Sequence, residues 1–109
     1  MTMRHLTLIC MAGISTSLLV NKMKRLIRNE NLEIAVTAMS ERAFQGYTGQ
    51  TDVLLLGPQL GHRFESLKEQ YESKGIRIDR IDPECFGAMD AKAVLEQAFP
   101  DLSRQIGDK

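Results

Sequence analysis

The sequence predicts a single α/β domain: an open parallel sheet of four strands in the order 2-1-3-4, with helices on both faces. Three observations carry that expectation. Four short apolar runs have strand length, at Leu6 to Cys10, Ile34 to Ala38, Val53 to Leu56 and Ile76 to Ile81. Segments of helical period separate them, as parallel neighbours require, because each parallel pair needs a long crossover. The third run, Val53-Leu54-Leu55-Leu56, is apolar at every position, which suits a strand covered on both faces. The strand order is taken from the arrangement usual in doubly wound folds, where ligands bind outside the carboxyl ends of the central strands.

Each crossover has its own pattern. Leu19, Met23, Leu26 and Ile27 fall at i, i+4, i+7 and i+8 and make the buried stripe of a first helix, with Lys22, Lys24, Arg25 and Arg28 mostly directed elsewhere. Ser40 is a candidate N-cap for a short second helix ending near Gly46 or Gly49. Leu60, Phe64, Leu67 and Tyr71 repeat the helical period, and Gly75 stands where a C-cap belongs. Ala91, Val94, Leu95 and Ala98 form a last stripe, capped by Asp90 and closed near Pro100. The domain is expected to span residues 1–100, with 101–109 a polar, frayed tail.

Bulk properties exclude several classes of function. A chain of 109 residues buries one modest core. Fourteen basic and fourteen acidic residues cancel, so no global field favours nucleic acid or an anionic membrane, and charge recognition has to be local. The apolar runs are far shorter than the roughly 20 residues of a membrane span, and the start MTMRHLTLIC lacks a signal-peptide layout, so a cytoplasmic protein is expected. Cys10 and Cys85 make a poor disulfide framework, and with only His5 and His62 no metal or cofactor site is expected.

The chemically informative stretch lies between the first strand and the first helix: Cys10-Met11-Ala12-Gly13-Ile14-Ser15-Thr16-Ser17. Small and hydroxylated residues let the backbone curl so that several amides converge on one centre, and the helix start adds unpaired N–H groups and a positive dipole end. The thiolate is the attacking form of cysteine, and an anion-binding loop favours it. A cysteine ending a buried strand, or a Ser/Thr run before a helix, has an ordinary structural explanation when it occurs alone. Their combination specifies more: Cys10 as nucleophile and the amides from Met11 to Ser17, with the Ser15, Thr16 and Ser17 hydroxyls, as a phosphate cradle. The loop has no lysine after its glycine, as a Walker A loop requires, and no G-x-G-x-x-G.

Two families resemble this pattern. In the low-molecular-weight tyrosine phosphatases and related arsenate reductases the loop reads Cys-x5-Arg-Ser/Thr; here Ser17 matches, but Thr16 stands at the arginine position. A phosphatase clamps the phosphoryl oxygens with that guanidinium and protonates the leaving group with an aspartic acid, for which Asp82 and Asp90 are candidates. The second resemblance covers nearly the whole chain: the enzyme IIB component of the sugar phosphotransferase system, lactose/cellobiose/chitobiose type. Cys10 to Val20, Asp52 to Gln59, and Phe86-Gly87-Ala88-Met89-Asp90 with Val94-Leu95 are similar to that family's motifs, although it often has Tyr where Phe86 stands.

This resemblance implies a phosphatase-like fold and a phosphotransferase function. Cys10 is then expected to accept phosphate from a phosphohistidine on a IIA protein and pass it to a sugar bound by a IIC permease, the chain being monomeric by itself. A relay that stores a thiophosphate suits a cradle of neutral amides better than a cationic clamp. The alternatives are a cysteine phosphatase or arsenate reductase, and a module that only senses anions. Gly57-Pro58-Gln59 is expected as turn punctuation near the loop. His62 is expected at the surface, and Cys85 as an ordinary thiol in the loop after strand four.

Overall fold

The computed structural model describes residues 3–10 and 14–102, the side chains of residues 14–16 excepted. Four strands, β1 (Arg4–Cys10), β2 (Ile34–Ser40), β3 (Val53–Leu56) and β4 (Arg77–Arg80), form one parallel sheet in the order β2-β1-β3-β4. The helices are α1 (Ile14–Asn29), α2 (Glu41–Gln45), α3 (Phe64–Glu72), α4 (Pro83–Gly87) and α5 (Ala91–Ala98), with a 3-10 segment over Pro58–Arg63. The predicted order and the two-sided covering are both present.

The all-apolar β3 follows from its position. Successive side chains of a strand point to opposite faces. Leu55 joins Leu6, Leu8, Val36, Leu19, Met23 and Leu95 on the face packed by α1 and α5. Leu54 and Leu56 join Ile9, Phe44, Leu67 and Tyr71 on the other face. The central β1 also buries Thr7, whose hydroxyl shares a 2.9 Å hydrogen bond with that of Thr51.

Ser40 and Asp90 act as the predicted caps, accepting from Ala43 N at 3.1 Å and Ala93 N at 3.0 Å. Lys22, Lys24, Arg25 and Arg28 are exposed on α1. Three expectations about the helices and their connections are corrected. The third helix begins at Phe64, not near Leu60, because Pro58 and Gly61 favour a tight 3-10 entry; Leu60 is buried there all the same. Its C-cap is Ser73 rather than Gly75, although Gly75 has φ +84° and makes the left-handed turn into β4. Residues after β4 are not a loop. Pro83–Gly87 forms α4, with Asp82 accepting from Glu84 N at 2.9 Å and Pro83 in the first turn.

The core also continues past Pro100. Leu102 is completely buried, and Asp101 pairs with Arg4 at 2.9 Å, so neither residue is frayed. The Arg4 guanidinium lies 4.4 Å from the Phe99 ring centre, and its hydrogen bond to Asp101 holds that carboxyl below the usual carboxylate range. Residues 103–109 lie outside the described residues.

Candidate active site

The strand order decides which residues meet at the carboxyl edge of the sheet. Cys10 is the last residue of β1, and β1 lies between β2 and β3. In the register Cys10 is opposite Ser40, so Glu41 and Arg42, which open α2, emerge beside the end of β1. Ile9 is opposite Leu56, so Gly57 follows on the other flank.

Gly57 is required there by space, not by backbone conformation, since its φ of −59° is open to any residue. Its amide donates to the Ile9 carbonyl at 2.8 Å. A Cβ on Gly57 would lie 3.2 Å from the Cys10 Cβ and 2.9 Å from Gln59 Oε1. The glutamine can swing away; the cysteine sits on the central strand and has to be pushed. Gly57→Ala is therefore expected to displace Cys10 by a few tenths of an ångström and to slow any reaction of its thiol about tenfold, since catalysis is sensitive to sub-ångström placement. Stability should fall by about 1–3 kcal/mol. Thiol-modification rate and a denaturation curve on the same variant check both.

Cys10 is only 2% exposed, yet it forms part of the wall of a cleft of about 560 Å³. Ser40, Glu41, Arg42 and Gln45 line one side, and Leu60, His62 and Arg63 the other. A tetrahedral oxyanion is far smaller than this space. Three basic side chains and one carboxylate therefore border the cleft that Cys10 helps to wall. Arg63 makes a forked contact with Glu41, Nη2 to Oε2 at 2.6 Å and Nε to Oε1 at 3.3 Å. That hydrogen bond, and the carboxylate's charge behind it, raise the guanidinium's pKa above its ordinary value.

These residues were not legible as a site. His62 is exposed, as anticipated, but in the wall of the Cys10 cleft. The register alone could have located Glu41 and Arg42; Arg63 arrives only because the 3-10 segment brings it back toward α2. Of the proposed cradle, Met11, Ala12 and Gly13 lie outside the described residues, as do the side chains of Ile14, Ser15 and Thr16. The backbone of Ile14 to Ser17 opens α1, and Ser17 is exposed.

Other candidates lie elsewhere. Asp82 and Asp90 are occupied as helix caps. Cys85 sits half-buried on α4 against the α1/α5 core, and burial, then Asp82, Asp90 and Glu84, push its thiol pKa up. It is the less reactive form of cysteine. Among the described residues there is no group of three or more His, Cys, Asp or Glu able to hold a metal, and no helix long and apolar enough to cross a membrane.

Fold and site together define a small doubly wound α/β protein that presents a strand-end thiol at the edge of a partly basic cleft. More specifically, the chain belongs to the lactose/cellobiose-specific IIB subunit family of the phosphotransferase system, whose family model matches residues 6–97. It is a sugar-specific IIB component, and such components are phosphotransferases. The oligo-β-mannoside-specific EIIB component of Bacillus subtilis is 31% identical over 103 residues, covering 94% of this chain and all of that one. The solution structure of the cellobiose-specific IIB component of Borrelia burgdorferi superimposes with a TM-score of 0.74 at 29% identity, covering 95% of both chains. The lactose-specific IIB component domain of Streptococcus pneumoniae, at 15% identity and a TM-score of 0.76 over 95% of this chain and 98% of that one, shares the fold.

Proposed function

We propose that this chain is a cytoplasmic phosphoryl carrier in which Cys10 takes a phosphoryl group from a phosphohistidine of a IIA partner and delivers it to a sugar held by a IIC permease. The observation that carries the reading is the position of Cys10: last residue of the central strand, in the wall of a roomy cleft with basic side chains, in a chain of the IIB family. In the first step the thiolate attacks phosphorus, the P–N bond breaks, and the departing imidazole nitrogen takes up a proton. In the second, a sugar hydroxyl attacks, the S–P bond breaks, the thiolate is regenerated and the hydroxyl proton is released. Amides of Met11 to Ser17 and the hydroxyls of Ser15, Thr16 and Ser17 are the proposed cradle, supported by the helix that opens at Ile14.

A cysteine phosphatase is less well supported. It needs a carboxylic acid beside the leaving group, whereas Asp82 and Asp90 are engaged in capping, and it needs a guanidinium directed at the phosphoryl oxygens, whereas Arg63 is engaged with Glu41. The relatives act on different sugars by name, oligo-β-mannoside, cellobiose and lactose, while sharing this small domain. Sugar choice is accordingly assigned to the membrane partner.

The test is incubation with a phosphorylated IIA protein, followed by intact mass and peptide mapping. One phosphoryl group per chain, on the peptide containing Cys10, is the expected result. A label on His5 or His62, or no label with an active donor, rules the proposal out. Multiple turnover of p-nitrophenyl phosphate favours the phosphatase instead.

A further inference from the structure

The cleft that Cys10 helps to wall carries a feature that phosphoryl transfer does not require: a carboxylate, that of Glu41, among its basic side chains. Glu41 and Arg63 come from separate elements, α2 and the 3-10 segment, and both border this cleft. Their side chains are 20% and 39% exposed, so neither charge is buried and the pair is not needed to satisfy a polar group in the core. An exposed pair of this kind adds little to stability. Its effect on charge is larger. With Glu41 ionised, the pair as a whole contributes no net charge, and Arg42 and His62 remain as the other basic groups; without Glu41, the positive charge of the Arg63 guanidinium in the cleft wall is no longer offset.

We infer that Glu41 is a positioning residue that holds Arg63 away from a phosphoryl group on Cys10 and so prolongs the life of the phosphocysteine. The inference rests on the carrier reading above. A guanidinium free to fork onto phosphoryl oxygens stabilises charge in the transition state of transfer to any nucleophile, water included. In hydrolysis a water oxygen attacks phosphorus, the S–P bond breaks, and thiolate and dihydrogen phosphate are the products. Arg63 is a guanidinium of the kind the phosphatase loop carries at the position of Thr16, here supplied by another element and neutralised by an acid.

Two measurements separate this inference from the carrier reading. The first needs no phosphorylation: the rate of Cys10 alkylation by iodoacetate relative to iodoacetamide, read by peptide mass at low salt. The two reagents are similar in size, so burial affects both and the ratio reports charge at the sulfur. Glu41→Gln should raise the ratio about three- to tenfold, and Arg63→Gln should lower it by a similar factor. The double variant, neutral at both positions, should return close to wild type. The second is the decay of phosphocysteine after donor removal, which Glu41→Gln should accelerate about tenfold while Arg63→Gln and the double variant do not. An alkylation ratio unmoved by Glu41→Gln overturns the inference whatever Cys10 carries. A shifted ratio with an unchanged lifetime overturns the protective role, and failure of wild-type labelling together with a normal ratio shift rejects the carrier reading and, with it, that role.

Discussion

Cys10→Ser is expected to lower phosphoryl acceptance from a IIA donor by at least about a thousandfold while leaving the fold intact. A serine hydroxyl at the same place is a weak nucleophile unless a base removes its proton. Loss of the attacking atom is not compensated by the remaining donors, because groups that act as a unit fail as a unit. The replacement is nearly isosteric at a buried position, so its stability cost stays within about 1–3 kcal/mol, the usual penalty for placing a hydroxyl in an apolar setting. Circular dichroism and a denaturation midpoint on the same sample separate lost chemistry from lost structure. A serine variant that labels as fast as wild type would show that another residue is the acceptor. A variant that binds inorganic phosphate normally but never labels is the expected pattern for a carrier whose cradle survives its nucleophile.

Leu102→Ala is expected to cost about 2–5 kcal/mol, as does removal of other fully buried leucines. For a domain whose whole stability is of order 5–15 kcal/mol, that is a large fraction. Leu102 is 0% exposed and lies in the cluster with Phe99, Val94 and Leu95, on the face of the sheet covered by α1 and α5. Its amide donates to the Phe99 carbonyl at 3.0 Å, Asp101 pairs with Arg4 at the start of β1, and an Arg77 Nη2 donates to the Ala98 carbonyl on the same side. Residues 99–102 therefore close the apolar face that α5 alone leaves incomplete. Urea denaturation should show a lower midpoint with an unchanged slope. A loss under about 1 kcal/mol, the lower end for even a single deleted methylene, would mean that Leu102 does not belong to the core.

Much of this fold is legible in the amino-acid sequence. The all-apolar Val53–Leu56 run suits a strand covered twice; period-3.6 stripes such as Leu19-Met23-Leu26-Ile27 suit helical crossovers; and Ser40 and Asp90 announce helix starts by their own hydrogen-bonding chemistry. The place of Cys10 at the end of a strand was legible as well, since a short apolar run that closes before small and hydroxylated residues is a local pattern. Two short elements were not. The 3-10 turn at Pro58–Arg63 and the five-residue α4 contain too few residues to show a period, although Asp82-Pro83 was an available cap signal.

The sequence by itself determined the four strands, the longer helices, the doubly wound class and the identity of the strand-end thiol, because each depends on contacts within a few residues or on a repeating pattern. Only the tertiary structure decided that Glu41 and Arg63 meet beside Cys10, that Gly57 has to lack a side chain, and that Leu102 completes a face of the core. Those outcomes depend on which strands are neighbours and on their register. Residues far apart in the chain are brought together by the sheet, and no local preference records the encounter.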